Sequence, residues 1–307
     1  SELPRLELLR SFEAAARLGS VTAAADELCV THSAVSQQIK QLEDELKCKL
    51  LIRNSHNVML TDAGNYFLED AKRTIQQANL CISRITDVQN LQIGTLNIGC
   101  TYTFSPILRE SILSYMQQFP NVKLNVVCKS MEELMVLLQH QEVDFVLSYK
   151  PYVTFENIES HVLFDNKLCV IVSENHPLQS KKTITLAELE PFKLALPSNG
   201  LQARNTFDHI ISDKDYKFDV RLEINEVSIL LDLVSRSQLA TVLSKASLTD
   251  YESLTAIPID VANNDMEGCF HFVKGLYVKK AAKAFIRILS DKNSANLMRQ
   301  NWFDDLL

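Results

Sequence analysis

Residues 6–46 hold three stretches of helical apolar spacing separated by breaks of two or three residues. Helices this short and this closely joined cannot each run free. They must cross one another around a shared small core. Leu6–Leu18 reads as the first helix, closed by Gly19, a residue suited to a left-handed C-terminal cap. Ser20 is placed to N-cap a short second helix, Val21–Leu28. Cys29 and Val30 turn the chain, and Thr31 caps a third helix from His32 to about Leu46. A short helix, a tight turn and a longer helix form the helix-turn-helix arrangement.

On the third helix, Val35, Ile39, Leu42 and Leu46 fall within about 60° of one another at 100° per residue. Ser33, Ser36, Gln37 and Lys40 gather on nearly the opposite side. Hydroxyls, an amide and an amine on one face are groups that reach base edges and phosphates in a major groove. An ordinary amphipathic helix explains that helix alone equally well; the turn and the short helix before it favour DNA. Leu50-Leu51-Ile52 and Val58-Met59-Leu60 then flank Asn54-Ser55-His56-Asn57, the pattern of a two-stranded wing. Lys47, Lys49, Arg53 and His56 make its positive cluster, suited to a minor groove.

Net charge gives no help to this reading. The 307-residue chain carries −7, and residues 1–60 hold seven Lys/Arg against eight Asp/Glu. A DNA surface must therefore come from where the charges sit, not from their sum.

The run of aromatic, small residues, G-S, A-A-x-x-L, S-x-S-Q-x-I, L-E-x-x-L, L-x-R and L-T-x-A-G over residues 6–64 resembles the DNA-binding domain of LysR-type transcriptional regulators. It is most similar to the branch of the glycine-cleavage and β-lactamase activators. The resemblance implies that His32, Ser33, Ser36 and Gln37 read bases, that Thr22 and Lys40 contact the DNA backbone, and that Arg53 is the wing contact; His56 joins the wing through the positive cluster alone. Two positions depart from the family pattern. Gln37 stands where the family often has Arg, and His56 stands where the wing tip usually carries a second basic residue. Each departure removes a cationic contact, so the salt dependence of DNA binding is expected to be shallow for the family.

Residues 62–90 form a proline-free helical stretch with Asp62 in its first turn, favourable at a helix N-terminus. Phe67, Ala71, Ala78, Ile82 and Ile85 make a seam suited to a partner helix, and so a dimerisation helix. Packing within the chain is the competing reading.

From about residue 91, strand-like and helical runs alternate. Residues 94–100, 122–128 and 143–149 read as strands around helices 106–119 and 131–140, which predicts a parallel sheet with right-handed crossovers. The chain changes lobe around Leu163 to Leu168. Residues 168–173, 193–198, 220–225 and 239–244 are further strands, with helices 202–211 and 228–236. Residues 268–278 return as a strand, followed by helix 279–289. Two such lobes resemble the periplasmic-binding-protein fold with which LysR-type regulators sense effectors.

The expected fold is thus α+β and multi-domain. A winged helix-turn-helix domain (1–61) leads through a linker helix (62–90) to a two-lobed α/β effector domain (91–307). Lobe I comprises about 91–163 and 268–307, and lobe II about 164–267. Ligands in open α/β sheets sit beyond the carboxyl ends of strands. That rule nominates Thr101, Tyr102, Thr103, Ser130, Ser148 and Tyr149 in lobe I, and Ser198, Asn199, Glu226 and Ser228 in lobe II. Hydroxyls and free N–H groups at helix starts suit a carboxylate or phosphate. Glu226 is discordant with a purely anionic ligand, and Arg204 supplies positive charge if its helix faces the cleft. Simple helix capping competes at every Ser and Thr.

Other classes find less support. The sequence has no G-x-S-x-G, H-E-x-x-H, G-x-G-x-x-G or P-loop motif, so no enzyme is expected. Seven unpaired-looking cysteines and seven histidines show no metal spacing, and no metal or cofactor is expected. No apolar run approaches the roughly 20 residues that span a bilayer. The charged opening residues are unlike a signal peptide, which points to the cytoplasm and against a solute-binding transport protein. A redox-sensing regulator using Cys100 is the main alternative, with Cys128 and Cys169 read as inert strand residues. The resemblance implies double-stranded DNA, a small-molecule effector and RNA polymerase as partners, and a homodimer or homotetramer.

Overall fold

Local signals set the first helices. In the computed structural model, which describes residues 4–53, 57–89, 93–248 and 251–293, α1 spans Leu6–Leu18 and ends at Gly19 with φ 63°. The Ser20 hydroxyl accepts from the Ala23 amide and opens α2, Val21–Leu28. Cys29 takes the left-handed conformation that closes α2, and Thr31 accepts from Ala34 to open α3, His32–Leu46. The wing follows as antiparallel β1, Leu51–Arg53, and β2, Val58–Leu60, with Leu51 opposite Leu60. Thr61 caps α4, Asp62–Val88.

The chain divides into two units between Gln89 and Asn90. The first closes over Leu8, Phe12, Ala15, Val35, Ile39, Leu42 and Leu50. Phe67 sets its ring edge-on to Phe12 at 5.5 Å, and Ala71 is buried in the same core. This corrects the expected seam: its first two members pack within their own domain, because α4 must bury a face against α1. Ile82 and Ile85 remain exposed, and Ala78 is half-buried. Gly64 has a steric cause, since a Cβ there would press into the Leu50 carbonyl.

The second unit begins with β3, Gly94–Thr101, and a 3₁₀ turn over Ser105–Ile107. The expected helix 106–119 starts only at α5, Leu108–Gln118. Then come β4, Val122–Lys129; α6, Met131–Gln139; β5, Phe145–Tyr149; and β6, Ile158–Phe164. Lobe II holds β7, Leu168–Ser173; α7, Leu186–Leu189; β8, Lys193–Pro197; α8, Gln202–Ile211; β9, Asp219–Ile224; α9, Val227–Ser235; β10, Thr241–Ser244; and β11, Leu254–Pro258. The chain returns through β12, Gly268–Val273, and α10, Lys280–Asn293.

Lobe I is a five-stranded sheet in the order β4-β3-β5-β12-β6. Its first three strands are parallel, as the alternation predicts, and β12 runs antiparallel between β5 and β6. Lobe II repeats the plan. β8 and β9 are parallel, a parallel bridge from Leu194 to Ala240 joins β8 to the start of β10, and β7 lies antiparallel between β10 and β11. Each lobe therefore receives its antiparallel strand from the other. The two crossing segments pair: Met266 donates to Asn166 at 2.8 Å, and Leu168 to Asn264 at 2.8 Å. Gly268 sits at this hinge because a Cβ would strike the Phe164 ring. The sequence reading lacks β6 and β11. Both are sheet-edge strands of mixed polarity: β6 has only Val162-Leu163-Phe164 as an apolar run, where the sequence reading puts the change of lobe, and β11 has no run longer than two before its proline.

Candidate nucleic-acid interface and effector cleft

The polar face of α3 forms as its spacing predicts. His32, Ser33, Gln37 and Lys40 are exposed and Ser36 is half-exposed, while Val35, Ile39 and Leu42 are fully buried. Thr22 on α2 is exposed. The Ser33 hydroxyl lies 3.0 Å from that of Thr31. Ser36, Gln37 and Lys40 line a concave surface of about 430 Å³ together with Glu43, Lys49 and Leu51. The α3 face and the start of the wing thus share one groove. Arg53 lies in β1, and His56 falls outside the described residues.

Glu43 was not anticipated as part of this surface. Its carboxylate accepts from the Leu50 amide at 2.9 Å, the Leu51 amide at 3.1 Å and Lys49 Nζ at 2.7 Å. Burial works to raise the Glu43 carboxyl, yet the Lys49 ammonium and the two amides outweigh it and hold the group below the usual carboxylate range. The carboxylate ties the wing to α3. It also pairs with one cation of the expected cluster.

In the second unit, the nominated residues separate by what their side chains already bond. Ser130 caps α6 in a capping box with Glu133. Glu226 caps α9 and accepts from both the amide and the hydroxyl of Ser228. Capping accounts for these three. Ser148 is buried, and its hydroxyl donates to the Tyr149 carbonyl at 2.8 Å and lies 2.6 Å from His271 Nε2. His271 also meets Ser160 at 2.6 Å, and burial, with His161 nearby, pushes its imidazole down to about 4. Ser148 is therefore part of an internal polar chain. The Tyr149 ring packs edge-on to Phe104 at 5.3 Å, and burial raises its phenol. Arg204 is held by Asp208, Glu223 and the Pro197 carbonyl, so its charge is already met.

Thr101, Tyr102, Thr103, Ser198 and Asn199 remain. Thr101 and Thr103 are buried, Tyr102 and Ser198 half-buried, and Asn199 exposed. Thr101 meets a residue that the sequence reading missed. Gln202, at the start of α8, accepts from the Thr101 hydroxyl at 2.8 Å and from the Tyr149 amide at 3.0 Å, and its own amide donates to the Tyr149 carbonyl. One side chain of lobe II thus bonds the carboxyl ends of two lobe I strands. On the same helix, Thr206 lies 3.3 Å from the Tyr152 hydroxyl, and the His209 ring lies against Tyr152. The only sequence signal for Gln202 is an amide in the first turn of the helix that follows the Ser198 loop.

Cys100, the thiol of the redox-sensing alternative, is fully buried because its strand lies inside the sheet. Cys128, on edge strand β4, is exposed.

Residues 6–65 match the profile of the bacterial regulatory helix-turn-helix proteins of the lysR family, and residues 89–294 match the LysR substrate binding domain. The chain belongs to the LysR family. Such regulators join a helix-turn-helix DNA-binding domain to an effector-binding domain, the two units found here. A probable nitrogen assimilation transcriptional activator of Synechocystis is 26% identical over 252 residues, covering 80% of each chain. A full-length OxyR variant from Pseudomonas aeruginosa superposes with a TM-score of 0.70 at 20% identity, covering 94% of this chain and 97% of that one. Full-length CbnR in complex with its target DNA gives 0.64 at 19% identity, covering 94% and 99%. At these identities the two structures show a shared fold. Among the described residues of this LysR-family chain, no helix is long and apolar enough to cross a membrane.

Proposed function

We propose that this regulator acts in the cytoplasm as a homodimer or homotetramer on two-fold DNA sites. In this reading His32, Ser33, Ser36 and Gln37 face bases, and Thr22, Lys40, Arg53 and His56 face the DNA backbone and minor groove. Ile82 and Ile85, with Ala78, form the part of α4 left for a partner helix. A small anionic molecule between the lobes controls the output, which reaches RNA polymerase through the DNA-bound assembly. The likeness of residues 6–64 to the glycine-cleavage and β-lactamase activator branch remains part of this reading.

The observation that carries the effector assignment is the Gln202 clamp. Its carboxamide oxygen takes two lobe I donors, the Thr101 hydroxyl and the Tyr149 amide. A ligand carboxylate offers the same donors a charged acceptor, and charge-assisted hydrogen bonds are roughly twice as strong as neutral ones. A carboxylate that displaces Gln202 therefore binds one lobe arrangement in preference to the other, which is what a population shift requires. Tyr102, Thr103, Ser198 and Asn199 lie on the loops around this point.

Sequencing of genomic fragments retained by the purified protein at near-physiological salt tests the DNA reading. Discrete peaks sharing an interrupted palindrome are expected, and diffuse retention refutes it. The salt series on one such site should give a shallow slope. A slope that implies six or more ion contacts per protomer contradicts the departures at Gln37 and His56. For the cleft, small carboxylates are screened by thermal shift, and Thr101→Val should abolish any stabilisation that the native chain shows.

A further inference from the structure

Strands β3 and β4 are parallel neighbours, and their register sets Cys100 directly opposite Cys128. The two Sγ atoms are 3.2 Å apart. Adjacent strands lie about 4.8 Å apart, inside the Cα separations that disulfides span. Closing the gap to a bonded sulfur pair needs roughly 1.2 Å of sulfur movement. Two thiols 28 positions apart in sequence are thus placed to form a bond.

We propose that Cys100 and Cys128 are a reversible dithiol–disulfide pair, in which Cys128 is the thiol attacked by a hydroperoxide and Cys100 resolves it. The two sulfurs differ in the way such a pair requires. Cys128 is exposed on the edge strand, whereas Cys100 is fully buried beside it. With Cys100 as the donor of the bond between the two sulfurs, the Cys128 thiol is pulled down to about 7, against burial and the nearby Glu226 carboxylate. Cys100 is pushed up by the same hydrogen bond and by burial, and it keeps its proton until its turn to react. Cys169 and Cys269 have no such neighbour, and burial lifts them to about 11 and about 12. Their thiols stay protonated and slow.

The chemistry closes on the groups named. The Cys128 thiolate attacks the distal oxygen of the hydroperoxide; an S–O bond forms, the O–O bond breaks, and the alkoxide leaves as the alcohol after taking a proton from water. Cys128 is then a sulfenic acid. Cys100 loses its proton and its sulfur attacks Cys128; the S–O bond breaks, and the departing hydroxide leaves as water with that proton. Two thiols and one hydroperoxide give one disulfide, one alcohol and one water. A dithiol reductant reverses the step. Because Thr101 follows Cys100 directly, the disulfide pulls on the strand end that holds Gln202; this consequence rests on the cleft reading above.

The test treats the full-length protein with stoichiometric hydrogen peroxide and maps its disulfides by non-reducing proteolysis and mass spectrometry. A Cys100–Cys128 linkage is expected, lost on reduction. Dimedone should trap Cys128 in Cys100→Ser, which keeps a donor to that sulfur, and more slowly in Cys100→Ala, which removes it. Cys128→Ser should slow peroxide consumption about tenfold or more. No linkage, linkage of other cysteines, or Cys128 reacting no faster than the exposed Cys29 and Cys48 overturns the proposal. A footprint identical in reduced and oxidised protein refutes only the coupling to the Gln202 clamp, since the mapped disulfide is read independently of DNA.

Discussion

Glu43 offers the sharpest test of how the DNA-binding unit is held together. Its side chain is only 6% exposed, and one oxygen accepts from both the Leu50 and Leu51 amides. Glu43→Ala leaves two buried N–H groups without an acceptor. Each such loss costs about 1–3 kcal/mol, so partial relaxation leaves a cost of about 2–4 kcal/mol. The Lys49 pair adds little, because that ammonium is 71% exposed. Glu43→Gln keeps an acceptor oxygen and loses only the charge, at a cost of about 1–2 kcal/mol. Hydrogen exchange on the full chain reads this directly, since the two amides are themselves the probes. Glu43→Ala should speed exchange at residues 50 and 51 by roughly 30- to 700-fold, and Glu43→Gln by much less. DNA affinity should fall in the same order. Equal exchange in the native chain and Glu43→Ala would refute the claim that this carboxylate fastens the wing. The sign of the pH effect follows from the lowered carboxyl: its contribution is complete above about pH 4.5 and is lost as the pH falls through the folded-state value.

Three further outcomes follow from the packing. Gly64→Ala should destabilise the DNA-binding unit by about 1–3 kcal/mol, because its Cβ meets a backbone carbonyl that cannot rotate away; an unchanged melting temperature contradicts this. Gly268→Ala should cost the effector unit a similar amount through the Phe164 ring, and Phe164→Leu should restore part of it if the ring is the obstacle. The effector unit should lose stability as pH falls from 6.5 toward 5. His271 is buried and neutral with its imidazole lowered to about 4, so the unfolded chain binds the proton first. Over the whole interval from 6.5 to 4 that linkage amounts to about 3 kcal/mol; a flat unfolding free energy between pH 6.5 and 5 would disprove it.

Much of the architecture is legible in the sequence because the signals that set it are local. Gly19, Ser20, Thr31 and Thr61 act within one helical turn, so the bounds of α1 and α2 follow from reading along the chain. The polar and apolar faces of α3 follow from the 3.6-residue repeat. The β-α-β-α-β alternation gives the parallel core of lobe I. Strand ends likewise nominate the cleft loops, but not which side chains there are free. Ser130, Ser228 and Glu226 turn inward to their own helix starts, and Ser148 turns to His271.

The sequence by itself determined the helix-turn-helix, the wing and the order of the strands and helices that carry a local apolar pattern, though not β6, α7 or β11. It also determined which face of α3 stays polar, because each depends on neighbours within a few residues. Only the tertiary structure decided which distant groups meet. It drew Phe67 and Ala71 into the first domain's own core, and set Glu43 under the wing. It joined Gln202 to Thr101 across 101 positions, and aligned Cys128 with Cys100. Those pairings depend on how helices pack within the first domain, on sheet register, and on the packing of one lobe of the second unit against the other. Neither leaves a periodic trace in a single chain, because the residues involved are ordinary for their own strand or helix and acquire a role only through their partner.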